Sequence, residues 1–315
     1  MEHDTPDGIR LLEPTDAQHA AALRMVVSGQ TVPDRATNHR VAELTNFVRG
    51  LSLSIEPVLG VFRGSRLVCA CASVATPGRI TLVYLPPERV AKRYRREMTS
   101  MLRALQERTW EQAMAIAQAL VWPEASNTEE ALSDAGFHFL AELAYQERPA
   151  DAPPARTRIR TDLSFVPYSQ HTHHLFIQAL DLTYVGSLDC PDLTGLRDTE
   201  DVLAMHRATG RHDPALWLVA SCGSQLAGVL LLSQVLRRPV LEVVYMGVTP
   251  EVRGQGMGDA LLARAVDECA RRRATFLTLA VDSDNHPALG LYKRWGFVET
   301  ARRRAWIATG PKARH

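Results

Sequence analysis

Three glycines in five residues, Gly254, Gly256 and Gly258, follow a continuous apolar run at 240–248 and a break at Thr249-Pro250. Beyond them Leu261, Leu262, Ala265, Val266 and Cys269 recur at helical spacing. A strand feeding a glycine loop that opens a helix is an anion site. The glycines let backbone amides approach a ligand with no Cβ in the way, and the first helical turn adds unpaired donors at the positive end of the dipole. Arg253 places a side-chain cation at the rim, and a diphosphate suits the loop. The spacing lacks the Lys-Ser/Thr ending of a nucleotide P-loop and the distant acidic residue of a dinucleotide fold. On a regular strand, Glu242 shares a face with Val240, Val244, Met246 and Val248. Apolar company of that kind raises a carboxyl pKa and suits it to accept a proton near neutrality. The bland alternative is a structural carboxylate bonded across the sheet. Tyr292 lies three residues from Leu289, which points its phenol inward from an apolar helix face, for chemistry or for packing.

The elements that must hold these groups follow the same order. Residues 274–281 read as a second buried strand, Asp282-Ser283-Asp284-Asn285-His286 as a loop, and 287–295 as a short helix with Pro287 in its first turn and Gly296 after its end.

Here the sequence resembles the GNAT superfamily of acyl-CoA-dependent acyltransferases. RGQGMG matches the family's Q/R-x-x-G-x-G/A loop, and DSDNHPALGLYKRWGF its following Asn, helical Tyr and Gly-Phe. The resemblance implies acetyl-CoA as cofactor. The backbone of Met246, Gly247 and Val248 would pair with the pantetheine arm. The loop amides of Arg253, Gly254, Gln255, Gly256, Met257, Gly258 and Asp259 would hold the pyrophosphate. It also implies that Asn285 contacts the arm, that Tyr292 protonates the departing thiolate, and that Glu242 is the general base.

The rest of the chain bounds the reading. With 36 basic against 35 acidic residues the net charge is +1, giving no general attraction for nucleic acid or anionic membrane. Five scattered cysteines form no zinc spacing or disulfide framework and suit a reducing cytoplasm. No apolar run reaches membrane-spanning length, and the N-terminus has no signal-peptide core. His171, His173 and His174 match no common metal site and read as a solvent-facing helix start. The arginine triplets at 271–273 and 302–304 read as solvated element ends.

The first half reads as a strand at 9–12, helices at 14–27 and 40–50, a hairpin of 58–62 with 67–74, a strand at 80–85, a long helix from 88 to about 118, a strand at 119–122, a helix at 128–134 and a strand at 139–146. The proline-rich stretch ERPADAPPAR at 147–156 reads as a linker. After it the order recurs: Gly64-Ser65-Arg66-Leu67 answers Gly223-Ser224-Gln225-Leu226, and Gly136-Phe137 answers Gly296-Phe297. The second copy opens with a strand at 158–166 and two helices from His171 onward, a region where Asp181, Tyr184, Asp189, Cys190 and Asp192 are plausible acceptor contacts. In the first copy LPPERVAKRYRRE stands where the glycine loop would be, with prolines that donate no N–H. Leu132 replaces Tyr292, and Asn127 is the relic of Asn285.

The fold class expected is α/β: two tandem GNAT-like domains, each a mixed, mostly antiparallel sheet flanked by helices. The boundaries are 1–149 for a degenerate first domain, 150–157 for a linker and 158–315 for the catalytic domain. The tandem form resembles the mycothiol synthase arrangement. The implied activity is direct acetyl transfer from acetyl-CoA to the primary amine of a small molecule or peptide, with no acyl-enzyme, since no cysteine of the motif region has an activating base. The sequence assigns neither the acceptor nor the oligomeric state. A non-catalytic acyl-CoA sensor would keep the glycine loop without Glu242 and Tyr292, and an interaction scaffold would need neither.

Overall fold

The computed structural model describes residues 8–153, 160 and 162–311. The first half of the chain runs β1 (Ile9–Leu11), α1 (His19–Ser28), α2 (Arg35–Gly50), β2 (Val58–Arg63), β3 (Arg66–Ala75), β4 (Ile80–Tyr84), α3 (Glu88–Glu111), β5 (Ile116–Val121), α4 (Ser126–Asp134) and β6 (His138–Pro149). The second half repeats that order as β7 (Ser164–Pro167), α5 (His173–Tyr184), α6 (Thr199–Ala208), β8 (Trp217–Cys222), β9 (Gln225–Gln234), β10 (Val240–Val248), α7 (Met257–Arg272), β11 (Phe276–Asp282), α8 (His286–Arg294) and β12 (Val298–Thr309). The internal repeat read from two short matches is therefore a repeat of whole elements.

The chain forms two compact units, and they do not follow the two halves of the sequence. Unit 1 comprises the described residues of Met1–Leu140, Gly195–Arg197 and Arg303–His315; unit 2 comprises those of Ala141–Thr194 and Asp198–Arg302. Each thus takes its sixth strand from the other half. In unit 1 the order is β1-β2-β3-β4-β5-β12, with β4 and β5 parallel and residues 304–309 of β12 antiparallel to β5. In unit 2 it is β6-β11-β10-β9-β8-β7, with β10 and β11 parallel and residues 143–149 of β6 antiparallel to β11.

Residues 147–149, read above as the start of a linker, are the end of β6, with Glu147, Arg148 and Pro149 opposite Thr278, Leu277 and Phe276. Arg148 is fully buried. It survives there because its guanidinium donates to the carbonyls of Trp295 (2.7 Å), Pro149 (3.1 Å), Ala152 (2.6 Å) and Pro153 (3.2 Å). The Trp295 carbonyl ends α8, so one buried cation caps a helix and fixes the chain after β6. Residues 154–157 of the expected linker, and 158, 159 and 161 of the strand expected at 158–166, lie outside the described residues. In unit 1 the long helix ends at Glu111, short of 118, because the chain turns through Ala113 at φ 58° and β5 begins at Ile116.

Unit 2 buries apolar side chains on both faces of its sheet. On one face Leu261, Leu262, Ala265 and Cys269 of α7 pack with Leu241, Leu277 and Leu279, and Val266 lies partly buried against them. That is the stripe the helical spacing predicts, and each fully buried Leu is worth about 2 kcal/mol. On the other face Phe176 and Leu180 of α5 and Leu203 of α6 pack on Trp217, Val219 and Leu231. No described helix is long and apolar enough to cross a membrane.

Candidate active site

A single extra residue in β10 opens the site. Opposite β9, Val243 pairs with Leu232 and Tyr245 with Leu231, leaving Val244 as a bulge. The bulge reverses the alternation: Leu241, Val243, Met246 and Val248 face α7, whereas Val244 and Tyr245 pack on the opposite face, with α5. The expectation that Glu242 shares a face with Met246 and Val248 is corrected by this one residue. Glu242 instead lies on the face of its pairing partners Ser233 and Thr278.

Beyond the bulge the strands part. β10 pairs with β11 only from Val240 to Val243, while its pairing with β9 continues to Val248. Among the described residues the other edge of 244–248 therefore has no strand partner, and a cavity of about 500 Å³ opens beside it. Met246, Gly247 and Val248 line it. A Cβ on Gly247 would lie 2.6 Å from the Thr183 Cβ and 2.8 Å from the Tyr245 Oη, so glycine is required where β10 meets α5.

The glycine loop closes one end of the cavity. Gly254 (φ 73°) and Gly256 (φ 78°) take left-handed backbone conformations. Gly256 sits at the N-cap of α7 and has no side chain to offer the helix, so the first-turn amides lack a side-chain cap. Gly258 lets α8 come close, since a Cβ there would meet Leu291 Cδ2 at 2.8 Å. Met257 and Asp259 line the cavity as well; Gln255 does not, and its amide donates to the Glu251 carbonyl (2.9 Å). The Asp259 carboxylate accepts from the Trp295 indole (2.9 Å) and stands 3.6 Å from Arg294.

Arg253 does more than add charge to the rim. Its guanidinium donates to the carbonyls of Val248 (3.1 Å), Gly186 (3.1 Å) and Thr183 (3.0 Å). Those of Thr183 and Gly186 belong to the end of α5 and the turn after it, so a cation also meets the negative end of a helix. The loop after α5 is tied again at Asp189, whose Oδ1 accepts from the Asp282 amide (3.0 Å), and at Cys190, whose amide donates to Asp282 Oδ2 (3.1 Å). Replacing Arg253 with Ala should free this loop at a cost of about 1–3 kcal/mol. Lys, lacking the forked donor, should not restore it. Amide exchange over residues 183–190 checks this; unchanged protection in Arg253→Ala would refute the tie.

Tyr292 is 6% exposed, lines the cavity and tilts against Phe297 with ring centroids 5.5 Å apart. Burial first, then the nearby Asp189 and Tyr245, push its phenol pKa well up, so it holds its proton across the physiological range. Glu242 is partly buried, and burial raises its carboxyl pKa, the direction read from the sequence. It does not line the cavity, although its neighbour on the same face, Val244, does. Asn285 lines the cavity and also caps α8, its Oδ1 accepting from the Ala288 amide (3.3 Å).

Sequence reasoning missed Tyr245, which the bulge turns towards α5. Its hydroxyl meets Thr183 Oγ1 at 2.9 Å, and because Thr183 donates to the Leu180 carbonyl, Tyr245 is the donor. Burial pushes its pKa up to about 12. Of the five polar residues singled out between 181 and 192, Asp189 alone lines the cavity. Elsewhere His173 stands between Tyr168 and Glu200, and Arg271, Arg272, Arg302 and Arg304 are paired with carboxylates.

In unit 1 prolines stand before α3 where unit 2 has its glycine loop before α7, and the start of α4, the counterpart of α8, is capped from within. Pro87 is the N-cap of α3, and Glu88 accepts from the amide (2.9 Å) and Nδ2 (2.7 Å) of Asn127 and from the amide (3.1 Å) and Oγ1 (2.8 Å) of Thr128. A carboxylate of the chain itself occupies the donors at the start of α4. Leu132 is buried in the core.

The chain is similar along its length to a GCN5-related N-acetyltransferase from Sphaerobacter thermophilus, with a TM-score of 0.61 at 16% identity over 99% of this chain and 98% of that one. It is similar also to a tandem GNAT protein from the clavulanic acid biosynthesis pathway, at 0.52 and 15% over 96% and 98%. Residues 182–297 match the model of the acetyltransferase (GNAT) family, and the fold along the chain is that of these GNAT structures. In sequence it is 40% identical over 90 residues to a mycothiol acetyltransferase from Clavibacter michiganensis subsp. michiganensis (strain NCPPB 382), covering 28% of this chain and 29% of that relative. It is 42% identical over 55 residues to a putative [ribosomal protein bS18]-alanine N-acetyltransferase from Bacillus subtilis (strain 168), covering 18% and 36%. The matches thus span about a third of these relatives' own length.

Proposed function

We propose that unit 2 binds acetyl-CoA and transfers its acetyl group directly to a primary amine. The observation that carries this reading is the uncapped start of α7, with its two left-handed glycines, at the end of the cleft where β10 and β11 part. Free amides at a helix start suit a diphosphate, and an unpaired strand edge suits the amide groups of a pantetheine arm.

In this reading the amides of Gly254 and of residues 256–259 hold the pyrophosphate, those of Arg253 and Gln255 being bonded to the Pro250 and Val252 carbonyls, and the backbone of Met246, Gly247 and Val248 aligns the arm, with Asn285 beside it. Bound acetyl-CoA supplies a thioester carbonyl open to attack and a thiolate leaving group. Glu242 takes the proton from the acceptor's ammonium through a water, because it lies beside the cavity and not in its wall. The neutral nitrogen would then be placed to attack the thioester carbonyl, the C–S bond breaking with its electron pair going to sulfur. Tyr292 would give the sulfur a proton and be restored by the proton that the acylated nitrogen sheds. Unit 1, whose α3 follows Pro86 and Pro87 in place of a glycine loop, plays no part in binding the cofactor.

Titration calorimetry of the full chain with acetyl-CoA and with CoA tests this. Binding of one ligand per chain is expected, with Kd of order 1 µM to 1 mM. Absence of heat with both ligands overturns the reading, and two equivalent sites overturn the assignment to unit 2 alone.

A further inference from the structure

We propose that Asp189 is the acceptor's anchor: its Oδ2 receives the ammonium of the incoming amine, so the acceptor presents itself to this site as a cation. The inference deepens the function proposed above and rests on it.

Among the described residues, four charged side chains line the cavity: Asp189, Arg253, Asp259 and Arg294. Arg253 is committed to three carbonyls, and Asp259, in the first turn of α7, to Trp295 and Arg294. Asp189 is the carboxylate left for the other end, on the loop after α5. Its Oδ1 is held by the Asp282 amide, and no group among the described residues pairs with Oδ2. The Asp189 side chain is partly buried, with one oxygen fixed by a backbone amide and the other left open to accept from a cationic donor that enters the cavity. Burial, then the neighbouring Asp282 charge, raises its pKa, opposed by the Asp282 amide.

Position supports the same role. Asp189, Tyr245 and Tyr292 line the same cavity, and the Asp189 charge adds to the burial that raises both phenols. Asp189, Tyr245 and Tyr292 thus give an ammonium a carboxylate oxygen and two aromatic rings. Glu242, outside the cavity wall, keeps the separate task of accepting the proton.

The test uses the full chain saturated with CoA and a matched pair of probes, phenethylamine and the uncharged 2-phenylethanol. The wild type should bind the amine about tenfold more tightly than the alcohol, the worth of one charge-assisted hydrogen bond. Asp189→Asn should erase that ratio with CoA affinity unchanged, and Glu242→Gln should retain it. Asp189→Ser, which keeps an oxygen for the Asp282 amide, is read alongside so that the result does not hang on one variant's folding. A wild type without preference, or a preference that survives in Asp189→Asn or Asp189→Ser, overturns the proposal. The CoA titration judges the cofactor reading separately, so normal CoA binding without an amine preference removes Asp189 alone.

Discussion

A fragment of residues 158–315 should fail to fold, although it spans the whole second copy of the repeat. It lacks residues 143–149, which pair along all of β11 from Phe276 to Asp282. It lacks Ala144, buried in the unit 2 core, and the Arg148 guanidinium that satisfies the end of α8. Without them β11 becomes an exposed edge strand carrying Leu277, Leu279 and Val281. The loss is comparable with the roughly 5–15 kcal/mol that holds a domain together. Residues 141–302 contain every part of unit 2 and should be soluble, melt cooperatively and bind CoA. The complementary fragment, 1–149, should fail for the mirrored reason, since β5 would lose residues 304–309 and the buried Ala305, Ile307 and Ala308. Thermal melts and gel filtration of the three fragments decide it; a monomeric, cooperatively melting 158–315 would sink the claim.

Tyr292→Phe and Glu242→Gln should each lower turnover about 10²–10⁴-fold while CoA affinity stays within about threefold. The phenol sits in an apolar wall beside Phe297, so its replacement removes an oxygen and little packing. Glu242 carries a second signature. Its folded-state pKa is raised by burial, so ionisation costs the folded state: stability is fullest below the usual carboxylate range and is lost as pH rises through the folded pKa. Glu242→Gln should therefore melt above wild type at neutral pH, with the gap closing as the pH falls below about 4. Wild-type thiol release in Tyr292→Phe would reduce that residue to packing. A melting gap in Glu242→Gln that does not change with pH would leave its carboxyl without the ionisation the mechanism requires.

What the sequence made legible is what its periodicity and glycines mark. The bounds of β10, the buried stripe of α7 and the helix after Asn285 are as expected because each is fixed by contrast with its flanks. The bulge at Val244 is not legible, because a run of β-branched and apolar residues carries no mark of phase when both faces of the sheet are buried. That single residue decides which side chains meet Glu242 and sends Tyr245 towards α5. Arg148 and Pro149 looked like breakers only because the carbonyls that accept from Arg148 are distant in sequence or in an irregular segment. The split of the halves at 149/150 follows the repeat, whereas the compact units follow strand pairing, which composition does not encode.

The sixth strand of unit 1 has a consequence for how the protein is made. Residues 304–309 leave the ribosome about 180 residues after β5, which at about 5–20 residues per second is a wait of roughly 10–40 s. Throughout that interval the newborn first domain has its β5 edge unoccupied, and it closes only after the glycine loop of the second has already been synthesised.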